Sequence, residues 1–451
     1  MLTRAAIASA HAPSVTRAPS NFVITEASLK ILYISQYFPP EMGAPAGRVS
    51  ELCQRWAEAG HEVTVLTGFP NHPDGILHPA YRRQFHRLVF QEKWRSVNVV
   101  RSWLLPFPNR RPYERMLNYS SFCASAALTG SFIDRPDVVI ATSPQLLVGV
   151  AGWWIAKVKR VPLVLEVRDL WPESLSAVGV GTSSSALHRG LCRIAGFLYE
   201  HSEHIVVVTP ATREYLIKKR EIAGEKISVI PNGVETGLFR PGTLDFELRQ
   251  QWNPDGKFVV SFIGTLGLAH GLDTVIAAAD RLQSVRPDVL FLLVGEGADR
   301  GRIARLAESK QLTNLRIVPQ QPRERIPAFI ALSDVCLVLL KNSRIFETVI
   351  PTKMLEFMSC ARPVILGVAG QARQIAEQAR AGICIQPENV DALCCAILKL
   401  QGNPVLRDRL SRNGREYIIR NFSRERTAGE YLDLLHSIVA GRSSLHRAAA
   451  A

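Results

Sequence analysis

No stretch of eighteen uncharged apolar residues occurs in the 451-residue chain, so no spanning helix is expected. The nearest approach, Leu146 to Ala156, is too short. There is no C-x-x-C and no zinc-type spacing among the eight cysteines, and Cys394 and Cys395 are adjacent. That pattern excludes a disulfide framework and a cysteine zinc site, and reads as reduced, mostly buried thiols in a cytoplasmic protein. No G-x-G-x-x-G follows the first strand, and no acidic residue follows the second at the dinucleotide position, which argues against a dehydrogenase. No DNA- or RNA-reading module is recognisable. Acidic residues are outnumbered, 40 against 54 basic, leaving a net charge of +14. The expected partner is therefore anionic: a phosphorylated substrate or a membrane surface rather than a nucleic acid.

What is present is a repeated alternation of short apolar runs and helical spacings. Residues 1 to 28 lack the apolar centre of a targeting peptide and are read as a disordered extension. Leu29 to Ser35 is a buried strand. A loop rich in Pro and Gly leads to a helix ending at Gly60, and Glu62 to Thr67 is the next strand. Strands at Val138, Leu163, His204 and Ile227 continue a Rossmann-like domain over 29–234. Gly, Pro and Asp then cluster over 235–256, the linker. A second alternation from Phe258 gives another Rossmann-like domain over 257–440, whose last helix can return to the first. Residues 441–451 are expected to be a disordered tail. The fold class is thus α/β, two doubly wound parallel-sheet domains of roughly 200 residues each facing a cleft that can close on a ligand.

The stretch IFETVIPTKMLEFMSCA, 345 to 361, reads as a turn and then a helix. Thr352 can cap it, and Met354, Leu355, Phe357 and Met358 form its apolar face. Free N–H groups at the helix start attract phosphate. Lys353 adds a positive charge, and Glu356 can accept from sugar hydroxyls. The plainer alternative is an amphipathic helix with solvated charges.

Residues 82 to 115 hold nine Lys or Arg against two acids, with aromatic rings interleaved. Trp94, Arg95, Trp103, Arg110 and Arg111 suit an anionic membrane interface, where rings sit at headgroup level and cations meet phosphates. Solvated arginines over core strands are the alternative. Arg168 and Asp169 end a strand, where open parallel sheets bind ligands.

Six motifs occur in order: FPPEMGAPAGR (38 to 48), VRDLWPES (167 to 174), ISVIPNGVE (227 to 235), FIGTLGLAHGL (262 to 272), LLVGEGADR (292 to 300) and FETVIPTKMLEFMSCARPVILG (346 to 367). Together they resemble the GT-B glycosyltransferases of family 4 over about Leu29 to Val439. They look closest to bacterial surface-polysaccharide members, such as the fucosamine-type transferases of colanic acid, O-antigen and capsule pathways. The resemblance implies retaining transfer of a sugar from a nucleotide diphosphate, as substrate, with no cofactor and no required metal. It implies that Glu356 holds the donor ribose and that the turn at Val349, Ile350 and Pro351 approaches the diphosphate. Gly43 and Gly264 belong to glycine loops near the phosphates, Gln320 lies in the base-reading segment, and Asp169 stands near the reacting sugar. The expected acceptor is a polyprenyl-diphosphate-linked oligosaccharide at the inner face of the cytoplasmic membrane.

Departures are visible too. Eight positions before Glu356 stands Thr348, and Glu347 is one residue too early for the family's paired glutamates. Either residue is a candidate at the donor sugar. Thr265 and His270 stand where many members carry Arg and Lys. Phosphate charge then falls to Lys353, to Arg323 or Arg344, or to a protonated His270. A nucleotide-sugar 2-epimerase and a non-catalytic nucleotide-sugar-binding subunit are the alternative functions.

Overall fold

The computed structural model describes residues 27–41, 43–71, 75–107, 111–143, 145–170, 186–253 and 255–450. Residues 1–26 of the expected extension, Trp171 to Ser174 of the sequence motif and Arg110 lie outside them.

The first sheet takes β1 (Lys30–Ile34), β2 (Glu62–Gly68), β3 (Val89–Trp94), β4 (Val97–Ser102), β5 (Val138–Thr142), β6 (Leu163–Val167), β7 (His204–Val207) and β8 (Ile227–Val229). Their order is β3-β4-β2-β1-β5-β6-β7-β8, parallel except for the β3–β4 hairpin. The second sheet takes β9 (Phe258–Ile263), β10 (Val289–Val294), β11 (Leu315–Val318), β12 (Val335–Leu339), β13 (Val364–Gly367) and β14 (Gly382–Cys384) in the order β11-β10-β9-β12-β13-β14. Central strands such as β5, β6, β10 and β12 are buried at every position. That is why they read as unbroken apolar runs: helices cover both faces of a parallel sheet.

Helix α1 (Ala44–Glu58) starts from Gly43 and buries Val49, Leu52, Cys53 and Trp56 at helical spacing. Helices α2 (Pro112–Phe132), α3 (Leu146–Lys159), α4 (Ala186–His201) and α5 (Pro210–Arg220) complete the first domain. The second has α6 (Asp273–Val285), α7 (Arg300–Ser309), α8 (Thr352–Ser359), α9 (Gln371–Ala379), α10 (Val390–Gln401) and α11 (Pro404–Asn421).

The last helix, α12 (Arg424–Ala450), crosses back to the first domain. Tyr431 and Leu435 share a core with Trp56, whose Nε1 donates to the Ala428 carbonyl at 2.9 Å. The tail expected to be disordered is helical to Ala450. Its sequence carries no proline, and its alanines favour helix enough to pass Gly441. Between the domains, Phe239 and Leu248 are buried in the core of the second domain, and Phe246–Trp252 forms a short helix. Among the described residues no helix is long and apolar enough to cross a membrane.

The 82–115 segment, expected from its composition to be a membrane interface, forms the β3–β4 hairpin at the sheet edge and leads into α2. Its strand period turns alternate side chains inward, so β3 and β4 close the sheet edge. Arg101 is fully buried, with Nε donating to Glu92 Oε1 at 2.6 Å and its guanidinium over the Tyr81 ring. Trp103 stacks on Phe85, and Trp94 packs edge-on to Phe38 at 5.3 Å. Arg95 lies over Trp94 and donates to Gln54 of α1. Arg111 remains exposed at the start of α2.

Candidate active site

The carboxyl ends of the two sheets face each other across a cleft of about 910 Å³. From the first domain it is lined by Gly43, Gly47, Glu51 and Arg55, together with Trp94 and Arg95. From the second come Gly264, Thr265, Gln320, Arg323, Lys353 and Glu356. Residues separated by more than 300 positions, such as Gly43 and Glu356, thus line one cleft, because the strands of each parallel sheet end together on the side that faces the other domain.

Helix α8 supplies the charged groups. Its N-cap is Pro351 rather than the expected Thr352, which is the first helical residue, and no side chain caps the end. A β-region Pro fixes the entry angle. Met354 N–H turns back to the Pro351 carbonyl at 3.0 Å, and among the described residues no hydrogen bond takes the N–H of Thr352 or Lys353. Met354, Leu355, Phe357 and Met358 are buried as predicted, anchoring the opposite face.

Lys353 lies 3.9 Å from the centre of the Phe262 ring, and its buried Nζ has no hydrogen-bond partner among the described residues. Burial pushes its pKa down to about 7, with Glu356 pulling the other way. Close to neutral pH this ammonium therefore titrates readily, and an anion beside it would restore its charge. Glu356 is pushed upward, chiefly by burial, against the pull of Arg323. Its Oε1 accepts from Arg323 Nη1 at 3.2 Å.

The glycine loops are required by contact. A Cβ on Gly295 would stand 2.0 Å from the Gly264 carbonyl oxygen, and Gly295 has φ +147°. Gly264, at φ +137°, lets Lys353 Nζ come within 3.1 Å of its own would-be Cβ. The loops after β9 and β10 therefore stack backbone to backbone under the lysine.

Other expected residues lie elsewhere. His270 is held by Nδ1 donating to the Leu339 carbonyl at 3.0 Å. Burial and then Lys353 push its pKa down to about 4, so it is neutral near pH 7 and supplies no positive charge, contrary to the expected protonated form. Glu347 is exposed on the turn Arg344–Thr348, and its carbonyl packs where a Cβ on Gly370 would be, 2.0 Å away. Neither it nor Thr348 lines the cleft. Val349 and Ile350 are half-buried, Ile350 against the core. The side chain of Arg344 is outside the described set. Asp169 is exposed at the end of β6 and borders a much smaller pocket with Ser143, Gln145 and Tyr199.

Sequence reading passed over Glu51 and Arg55. Arg55 makes a two-oxygen pair with Glu235 at 2.7 and 2.8 Å. Glu51 accepts from Arg323 at 2.7 Å and from Arg424 at 2.8 Å. On α1 they look like ordinary solvated helix charges, and their partners are distant in sequence.

The family model for the glycosyl transferase 4-like domain matches residues 43–233, and the model for glycosyl transferases group 1 matches 245–417. A protein of Escherichia coli described as a colanic acid biosynthesis glycosyl transferase, WcaI, is 25% identical over 413 residues, 87% of this chain and 98% of that one. The structure of sucrose-phosphate synthase from Thermosynechococcus elongatus superposes with a TM-score of 0.73 at 22% identity, over 91% of this chain and 99% of that one. Anabaena HepE, solved with UDP and glucose, superposes with a TM-score of 0.68 at 19% identity, over 91% of this chain and 100% of that one. With both domain models in order along the chain and the two facing sheets of the GT-B fold, this protein belongs to the family 4 glycosyltransferases.

Proposed function

We propose that the enzyme moves an N-acetylated or deoxy amino hexose from a nucleotide diphosphate, UDP-linked, to a lipid-linked oligosaccharide in bacterial surface polysaccharide biosynthesis, with retained anomeric configuration. The observation that carries this reading is the buried Lys353 ammonium, without a hydrogen-bond partner among the described residues, beside the start of α8 and one turn from Glu356. A departing nucleoside diphosphate gains negative charge, and a preorganised positive site lowers that barrier. In this reading Lys353 and the N–H groups of α8 take the diphosphate. Glu356 takes the ribose hydroxyls, and the segment at Gln320 meets the base. The leaving phosphate oxygen takes the acceptor proton, so no protein base is assigned. The name of the E. coli relative favours polysaccharide assembly, and the UDP complex of HepE favours a uridine donor.

The acceptor side draws support from the outer face of the first domain. Helix α2 exposes Tyr113, Leu117, Leu128 and Phe132 along one stripe, and α3 adds Trp154 and Val158. Lys157, Arg135 and Arg160 are exposed around them. An apolar stripe rimmed by cations suits the surface of an anionic bilayer on the cytoplasmic side.

The deciding experiment is thermal stabilisation by a panel of UDP-, GDP-, ADP- and dTDP-sugars, with Glu356→Ala as control. A UDP-sugar should raise Tm in the wild type only. No shift with any of the panel would reject the donor reading.

A further inference from the structure

Glu356 does not stand alone in the cleft. Its carboxylate is 17% exposed, and its Oε1 accepts from Arg323. Arg323 in turn donates from Nη2 to Glu51 Oε1 at 2.7 Å, across the cleft on α1. Glu51 is itself fixed by the buried Arg424, whose Nε donates to Oε2 at 2.8 Å. Below, the Arg323 guanidinium lies 4.9 Å from the centre of the Phe239 ring. The guanidinium is therefore located by two carboxylates and one aromatic face, each from a different part of the chain. Among the described residues no hydrogen bond reaches Glu356 Oε2, which leaves that oxygen for a ligand hydroxyl.

We propose that Arg323 is a positioning residue that holds Glu356 for the donor, and that Glu51 of the first domain sets Arg323, so that the free Glu356 oxygen is aimed at the ribose only when the two domains meet. This rests on the donor reading above. A carboxylate buried among apolar side chains tends to take up a proton, and its protonated oxygen then donates where it should accept. Arg323 opposes that by bonding one oxygen and leaving the other. The charged groups facing Glu356 are Arg323 and Lys353, which favour the anion, and Glu51, which disfavours it. Cys360 on the same side is neutral, its thiol pushed up to about 12. Arg323 thus has to offset both burial and Glu51, and Glu51 is tolerable there only because Arg323 and Arg424 stand between.

The test is calorimetric titration of the full chain with UDP between pH 6 and 9, using 2′-deoxy-UDP as a second probe. The wild type should show no loss of affinity on the acid side. Arg323→Gln should bind UDP roughly tenfold more weakly at pH 7, and weaker still towards pH 6 as Glu356 protonates. Arg323→Lys should recover the acid side in part. Removing the 2′-hydroxyl should cost the wild type severalfold and Arg323→Gln little. Glu51→Gln should weaken UDP binding, and the double variant should bind no worse than Arg323→Gln alone, because Glu51 acts through Arg323. Thermal unfolding of each variant checks that it is folded, and Glu51→Gln with Arg323→Lys carries the test if Arg323→Gln is not. Equal UDP affinity of wild type and folded Arg323 variants at every pH, or additive losses in the double variant, would overturn the inference alone. A wild type that binds none of UDP, GDP, ADP or dTDP would overturn the donor reading and this one with it.

Discussion

Arg48 of α1 and Glu166 of β6 form an ion pair sealed from solvent, with Nη2 and Oε1 2.7 Å apart and side chains 1% and 0% exposed. Tyr33 donates to the same carboxylate at 2.6 Å and Thr142 at 2.7 Å. Arg48 also reaches the Pro231 carbonyl and the Asn232 side chain, both at 3.1 Å. One side chain thus ties α1, the first sheet and the chain leaving β8 together. Truncation leaves a charge buried and unpaired. Arg48→Ala should cost about 3–5 kcal/mol of stability, read as a lower midpoint in urea unfolding. Glu166→Gln should cost less than Glu166→Ala, because it keeps two hydrogen-bonding atoms.

The same pair gives the protein an acid limit. Burial alone would raise the Glu166 pKa, but Arg48 outweighs it and holds the carboxyl down at about 2. A depressed folded value contributes stability above the unfolded pKa of 4.5 and loses it as pH falls from there towards 2. Unfolding midpoints followed downward from pH 5 should therefore fall in the wild type, and fall less steeply in Glu166→Gln.

Lys353 gives the opposite limb, in binding. Its pKa of about 7 in the free protein should rise when a diphosphate sits beside it. Affinity for UDP is then full below pH 7 and falls as pH climbs through 7 towards the bound value, by at most about tenfold per pH unit. Binding should take up a proton, visible as a buffer-dependent heat. Lys353→Met should remove both the proton uptake and the slope, and should weaken UDP more than uridine.

The stacked glycine loops predict a local defect. Gly295→Ala places a methyl group in the Gly264 carbonyl and asks alanine to hold φ +147°. The loop after β9 must move, and Lys353 loses its place over Phe262. UDP affinity should fall at least tenfold in protein that still unfolds cooperatively.

The outer face of the first domain can be checked with vesicles. Anionic liposomes should sediment the protein at low salt and release it at high salt, since screening shortens the reach of surface charges to about 8 Å at physiological ionic strength. Phe132→Ser with Leu128→Ser should weaken sedimentation at low salt, while Trp94→Ser, inside the cleft, should not. Failure to sediment at low salt would remove the membrane partner from the proposal.

Both sheets were readable from the sequence because buried parallel strands are short apolar runs between helical spacings, as at Val289–Val294. Helix α8 was readable for the same reason, through Met354, Leu355, Phe357 and Met358. Composition could not place Trp94 and Trp103. Interleaved rings and cations say nothing about which neighbour they face: Trp94 is half-buried against Phe38 at the cleft, and Trp103, just after β4, stacks on Phe85. His270 misled because its charge depends on burial and on Lys353, neither of which a linear spacing carries. Glu51 was invisible since its partners, Arg323 and Arg424, are hundreds of positions away.

The chain passes between the domains at Val234 and returns at Ser423, and these two passages lie side by side. Val234 N–H donates to the Phe422 carbonyl at 2.8 Å, and Arg424 N–H donates to the Val234 carbonyl at 2.8 Å. Gly233 is pressed so close that a Cβ would stand 2.6 Å from the Thr427 hydroxyl. Both covalent crossings between the lobes are thus joined at one place, so a swing of one lobe against the other has a single pivot there rather than two separate ones. Sliding one crossing past the other would break those bonds.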